Sequence, residues 1–356
     1  MKTAARFLAI ILVVAMALPL SACGENVEVM EYSGEKVEVM EYNGHVITSE
    51  MYSYILSENK SYILSQYNYT DSPEIWNSAY SDDMTVGEWL ITQIDDYCKT
   101  LLVCKDLASK NGISLSEDSA EALEKLNSDL IDAYGGKGKW NVYLASFGIN
   151  VDIFNEYMEM CYLMNDVYDA LVSDGTISCE DQEIYEYFKD YYKDYNLVRH
   201  ILFNYQFKYT DEDGKKVSLT DEQKAEKLEE YTDLAEKMQA GEASFEDYIE
   251  KNEDSGVYYL VTDDNRYVEE FQDAALEMEI GEYRVVETKY GYHLMNKLEL
   301  TQEVYDEEFS EKYSESIKSG LMTDKFYAIL DESAQSVSVN SEELSRFDII
   351  TAPVMS

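Results

Sequence analysis

At Leu197 the hydrophobic pattern of this 356-residue chain changes period. Before it, from about residue 49 to 195, apolar residues recur at helical spacing. After it, short apolar runs bounded by turn residues read as strands alternating with helices. Helices first, then a mixed segment, is the order of an α+β protein with a separate helical region.

The helical region carries its own start and stop signals. In TVGEWLITQIDDYCKTLLVCKDLASKNGI the residues Trp89, Leu90, Ile94, Leu101, Leu102 and Leu107 form one drifting apolar stripe that stops at Asn111-Gly112. SLSEDSAEALEKLNSDLIDAY starts a second helix, and FNEYMEMCYLMNDVYDALV a third, rich in Met and Tyr and read as core. SCEDQEIYEYFKDYY opens a fourth, with Ser178 as its cap. Ahead of these helices a ten-residue repeat, VEVMEYSGEK then VEVMEYNGHV, alternates like a strand and turns at Asn43-Gly44. Thr48 or Ser49 then caps the first helix, and His45 lies exposed beside the turn.

The mixed segment begins with Leu197–Phe203, which contains His200. Thr220 and Gln223 form a capping box at the head of a long helix running to about Gln239. A shorter helical stretch (SFEDYIEKN), a strand at Val257–Val261, a short helix at 271–276 and two closing strands, Tyr283–Glu287 and Gly291–Leu298, complete a β-α-α-β-α-β-β unit. A last helix, about Asp306 to Ser333, precedes a Ser-rich tail. Asp211-Glu212-Asp213-Gly214 echoes half of a calcium loop, but Lys215 and Lys216 stand where ligands belong, so it is a turn.

The N-terminus reads as an export signal. Lys2 and Arg6 precede an apolar run from Phe7 to Leu20, too short for a membrane span, and the run ends in Leu20-Ser21-Ala22-Cys23-Gly24. This ending resembles the lipobox of bacterial lipoproteins, which implies cleavage before Cys23 and diacylation of its thiol. Two acyl chains would hold the body on the extracytoplasmic face of the cell membrane.

Removing Lys2 and Arg6 with that segment takes the net charge from −44 to −46. Such a surface excludes nucleic acid and anionic lipid as partners. Cys98, Cys104, Cys161 and Cys179 form no CxxC, have no histidine at metal-ligand spacing and are read as small buried hydrophobes; the sequence does not pair them. No phosphate-binding Gly loop, no Ser-His-Asp order and no zinc spacing appears.

VRHILFN (198–204), the long helix, the G-E-x-S-F-x-D-Y segment (241–248), FQDAALEMEIGE (271–282) and ETKYGYHLMNKLE (287–299) stand in the order found in parvulin-type (PpiC/rotamase) peptidyl-prolyl isomerases. With the lipobox and the phrases NGHVITSEMY and ASKNGISLSED, the chain resembles a PrsA/SurA-type foldase lipoprotein. The resemblance implies five segments. They are a signal peptide (1–22), a tether with a short β-hairpin (23–48), a helical SurA-N-like chaperone domain (49–195), a parvulin domain with a four-stranded antiparallel sheet (196–300), and a C-terminal helix and tail (301–356) expected to pack on the helical domain.

It also implies a site. His200 and His293 match the paired histidines of parvulins, Thr288 the hydroxyl that hydrogen-bonds them, and Asp254 the Cys or Asp facing the substrate amide. Phe271 matches the aromatic wall of the proline pocket, and Leu260 and Tyr267 stand near its Leu and Met positions. Parvulins carry a Gly-Gly-Asp-Leu-Gly-aromatic turn after the Asp or Cys. Here Asp254-Ser-Gly-Val-Tyr-Tyr-Leu-Val-Thr-Asp-Asp replaces it, so this loop takes another path.

The expected function is a membrane-anchored prolyl isomerase and chaperone acting on unfolded exported polypeptides with Xaa-Pro segments, without a cofactor. A homodimer is within expectation, as cupped helical domains of this type can pair. The alternatives are a holdase of the same fold with a weak or inactive site and, in another class, a solute-binding lipoprotein.

Overall fold

The computed structural model describes residues 37–206, 209–210, 213–264 and 266–355. The export signal, Cys23, the first copy of the ten-residue repeat and Asp211-Glu212 lie outside the described residues. The chain divides into two units: one holds the residues through Ser178 together with those from Met322 onward, and the other is Cys179–Leu321.

In the first unit, β1 (Glu38–Tyr42) and β2 (His45–Thr48) form the hairpin that Asn43-Gly44 turns. Thr48 then accepts the Met51 N–H and caps α1 (Ser49–Gln66). The short α2 (Pro73–Trp76) and a hairpin of β3 (Ala79–Ser81) and β4 (Met84–Thr85) lead into α3 (Val86–Asn111). Thr85 and Glu88 cap that helix reciprocally. There follow α4 (Glu117–Ala133), α5 (Lys137–Ala145) and α6 (Val151–Ser173). The core draws on the stripes of α1, α3 and α6, with Ile55, Ile94, Leu102, Phe154 and Val167 almost wholly enclosed. The Met and Tyr residues of α6 do serve as core: Tyr157, Met158, Met160 and Met164 are buried. Cys98, Cys104 and Cys161 are free thiols, the first two buried.

The second unit begins with α7 (Asp181–Tyr191), followed by β5 (Asn196–Asn204), a small hairpin of β6 (Tyr209–Thr210) and β7 (Lys216–Val217), and α8 (Asp221–Gln239). A 3-10 turn at Glu246–Lys251 precedes β8 (Tyr258–Val261), α9 (Glu269–Glu277), β9 (Tyr283–Glu287) and β10 (Gly291–Leu298). The helices α10 (Gln302–Glu308) and α11 (Ser310–Ala334) close it, and the boundary between the units falls within α11. The sheet is antiparallel throughout, in the order β8-β5-β10-β9. The fold is therefore α+β.

Side chains alternate across that sheet, so each face has its own cover. On one face Ile201, Tyr292 and Leu294 pack beneath Tyr231, Ala235 and Met238 of α8 with Phe245. Further along the same face Leu197 meets Ile184, Phe188, Tyr305 and Phe309. On the opposite face Val198, Val286 and Met295 lie under Phe271, Ala274, Ala275 and Met278 around α9. His200 and His293 belong to this second face by parity with Val198 and Met295.

Several sequence expectations need correction. Glu180, not Ser178, caps α7, because its carboxylate forms a reciprocal box with Glu183. His45 is half-buried in β2, with Nε2 3.5 Å from the Ser109 hydroxyl of α3. The single C-terminal helix is two, separated at Phe309, whose ring is buried. The Ser-rich tail contains β11 (Ser338–Val339), which adds to the free edge of β1, and α12 (Ser341–Leu344).

The tail of the first unit is held by a buried cation. Lys60 is fully enclosed, and its ammonium reaches Asp71 at 2.8 Å and the carbonyls of Ile350 and Ala352 at 3.2 and 2.8 Å. Removing one partner of a buried pair leaves the other uncompensated. Lys60→Ala is expected to cost about 3 kcal/mol of unfolding free energy, read from the urea midpoint; a loss under ~1 kcal/mol would show that water already screens the site.

Candidate active site

The site lies where β5 and β10 run side by side. Their register sets Met295 opposite His200 and His293 opposite Leu202, so the two histidines are diagonal neighbours on one face. Gly291 begins β10 because nothing larger fits: a Cβ there would sit 1.9 Å from the Phe203 carbonyl oxygen. The tight turn Thr288–Gly291, closed by reciprocal backbone hydrogen bonds of 2.9 and 3.2 Å, returns β9 into β10 and brings Thr288 against His293.

The imidazoles meet Nδ1 to Nδ1 at 2.8 Å, with ring planes 11° apart and centroids separated by 5.0 Å. That separation belongs to rings meeting edge to edge in one plane. On the outer nitrogen of His293, Nε2 lies 2.8 Å from Thr288 Oγ1, which accepts the Tyr290 N–H at 3.1 Å. On the far side, His200 Nε2 lies 3.2 Å from Asp254 Oδ2, off the line a hydrogen bond requires.

These contacts select one tautomer pattern. An Nδ1–Nδ1 bond needs one donor and one acceptor. A lone pair on His200 Nε2 facing the Asp254 carboxylate would be repelled, so Nε2 carries the proton and His200 Nδ1 accepts. His293 then donates from Nδ1 and accepts at Nε2 from the Thr288 hydroxyl. The relay therefore runs Thr288 to His293 to His200, with an N–H facing Asp254.

Both imidazoles are buried and neutral. Burial, reinforced by the neighbouring His200, pushes His293 down from 6.5 to about 4. Burial also holds His200 below its ordinary value, against the opposing pull of Asp254.

An aromatic wall surrounds the pair. Phe271 presents an edge to both rings, 5.2 Å from each centroid. Tyr267 is tilted against Phe271 at 5.9 Å and donates to the Leu260 carbonyl. Tyr259 stands at 82° to His200 with centroids 5.1 Å apart, and donates to Asp254 Oδ2 at 3.0 Å. The loop that delivers Asp254 is shaped by Asn252: its Oδ1 accepts the N–H groups of Leu202 and Asp254, and its amide donates to the Gly256 carbonyl.

The structure thus brings His200, His293, Thr288, Asp254, Phe271 and Tyr267 together. Leu260 is elsewhere: it packs on the opposite face with Leu197 and Phe188, and Tyr259 is the β8 residue that faces the histidines. Alternation along β8 decides this, since neighbours on a strand point to opposite faces. The sequence reasoning missed Tyr259 and Asn252, whose roles depend on the pairing of β8 with β5 and on the loop path. Among the described residues, no three His, Cys, Asp or Glu side chains cluster to hold a metal ion.

Because the folded pKa of His293 is depressed, its stabilising contribution is complete above 6.5 and is lost as pH falls toward about 4. The urea midpoint of the wild type is expected to drop across that window, and that of His293→Asn to drop less. Parallel curves would mean that His293 is not held neutral.

Residues 187–301 match the family model of the PPIC-type PPIase domain. No curated protein matches the chain. Among solved structures it is similar to PrsA from Bacillus subtilis, with 22% identity over 74% of this chain and 91% of that one and a TM-score of 0.22. It is also similar to the peptidylprolyl isomerase PrsA from Bacillus anthracis (20% identity, 69% and 94% covered, TM-score 0.23). The foldase protein PrsA from Streptococcus pneumoniae is a third (14%, 75% and 95%, TM-score 0.24). The assignment rests on the family model rather than on these likenesses: over residues 187–301 the chain carries a PPIC-type peptidyl-prolyl isomerase domain.

Proposed function

We propose that the chain is a lipid-anchored foldase on the extracytoplasmic face of a bacterial membrane, which isomerises Xaa-Pro bonds of exported polypeptides. The buried His200–His293 pair, Nδ1 to Nδ1 at 2.8 Å and facing Asp254 beside Phe271, is the observation that carries this reading. Rotation about the prolyl amide meets a barrier of ~18–20 kcal/mol because resonance holds the bond planar. At the twisted midpoint the nitrogen lone pair is released and the amide loses its double-bond character. No covalent bond is made or broken, so the site needs neither a nucleophile nor a strong base.

Each part of the site has a place in this chemistry. Phe271, Tyr267 and Tyr259 offer an apolar cup in which the prolyl ring is held while the preceding carbonyl swings. Asp254 and the neutral imidazoles form the polar wall against which the amide twists; its fixed dipoles favour the twisted form over the planar one. The changed loop after Asp254 supplies Tyr259 in place of the glycine-rich turn.

In a protease-coupled assay on an Xaa-Pro tetrapeptide, the wild type is expected to exceed His200→Ala and His293→Ala by roughly tenfold or more. Equal rates for all three would remove the isomerase role of the pair and leave a holding role. The anchoring reading is supported by the Leu20-Ser21-Ala22-Cys23 sequence. Labelled palmitate is expected in the wild type and not in Cys23→Ser, which should leave the membrane fraction.

A second activity, holding unfolded clients, is favoured by the helical unit. A cavity of ≈ 570 Å³ there is lined by Trp89, Leu90, Tyr97, Val337 and Val339. Polar groups such as Gln93 and Lys99 share its wall, the mixture that suits a polypeptide segment.

A further inference from the structure

The Asp254 oxygen nearest His200 is also the oxygen that receives the Tyr259 hydroxyl, at 3.2 and 3.0 Å respectively. The other carboxylate oxygen accepts the Ser255 N–H at 2.7 Å. The carboxylate is thereby held at both ends, and His200 Nε2 lies 3.2 Å from it outside in-line hydrogen-bond geometry. Burial, the larger effect, disfavours imidazolium there, while Asp254 is close enough that it and the Gly256 carbonyl both favour it.

The backbone next to it is built around this phenol. At Gly256 a Cβ would lie 2.7 Å from Tyr259 Oη and 3.0 Å from Cζ, so any larger residue there must displace the phenol from the position in which it meets Asp254. The ring itself closes the aromatic wall, edge-on to His200, Tyr267 and Phe271.

We propose that Tyr259 is a positioning residue of the isomerase site: its hydroxyl, admitted by Gly256, holds Asp254 off the line of His200 Nε2 and so keeps the histidine pair neutral. The proposal rests on the isomerase reading. The titratable groups that face His200 are His293 from β10, Asp254 from the loop and Tyr259 from β8; α9 presents Phe271, which has no charge. Without the phenolic donor Oδ2 is released, and the carboxylate, still held at Oδ1 by the Ser255 N–H, can pivot to accept the His200 N–H in line. A charge-assisted bond of that kind favours imidazolium. A cation on His200 turns its Nδ1 from acceptor to donor, so the contact survives only with the relay reversed: His293 must accept at Nδ1 and donate from Nε2 to Thr288 Oγ1.

Tyr259→Phe keeps the ring and removes the donor; Gly256→Ala keeps the donor and pushes it away. Each is expected to move the acid limb of kcat/KM to higher pH by about one pH unit, which lowers kcat/KM by roughly tenfold on the acid side of both limbs and by a few-fold at about pH 6, with KM little changed. Nitrogen-15 spectra should show His200 titrating at correspondingly higher pH in both variants. Because the two substitutions break one contact, the double variant should resemble either single one, not their product. An unchanged acid limb and unchanged histidine titration in Tyr259→Phe would overturn the proposal while leaving the isomerase activity in place. Additive effects in the double variant would overturn it too. If the wild type shows no isomerase activity, the enzymatic reading fails, and the histidine titration alone still decides the role of Tyr259.

Discussion

A single hydrogen bond, His200 Nδ1 to His293 Nδ1 at 2.8 Å, depends on nearly everything else in the mixed unit being in place. It joins residues 93 apart in sequence across two strands, and it forms only in the register that sets Met295 against His200. A slip by one residue would turn the histidines to the opposite face, under α8. Gly291 allows the strands to meet at that register, and Thr288 holds the free end of the pair.

The same burial that makes this bond exact in direction also makes it neutral. Removing imidazoles from water penalises the charged form, and two imidazoles in contact penalise it further. A neutral pair has one proton between its inner nitrogens and can therefore sustain the contact. Among the described residues that touch the histidine pair, Asp254 brings the charge, at the rim, where Tyr259 and the Ser255 amide donate to it. Such a wall of oriented dipoles around an aromatic cup suits a reaction in which an amide twists and no bond is broken.

Much of the architecture was legible as local chemistry. Thr48, Thr85 and Thr220 cap their helices because a hydroxyl in the right place satisfies an amide that the helix leaves open. The strands Tyr283–Glu287 and Gly291–Leu298 follow the apolar pattern to the residue. Local signals were misleading where two competed: Ser178 and Glu180 both qualify as caps, and the carboxylate with its reciprocal partner at Glu183 prevails. The addition of β11 to the edge of β1 has no local signal, since it joins residues some three hundred apart.

For the site the division is similar. By itself the sequence determined which residue types were available and in what order: two histidines, a threonine five residues before the second, an aspartate and a phenylalanine, set in alternating strands and capped helices. Only the tertiary structure decided that Tyr259 rather than Leu260 faces the histidines, that the phenol occupies the aspartate, and that both imidazoles are dry enough to stay neutral. The reason is physical. Helix caps and strand periods arise between near neighbours in the chain, whereas strand register, burial and the path of a loop are set by contacts between residues far apart in it.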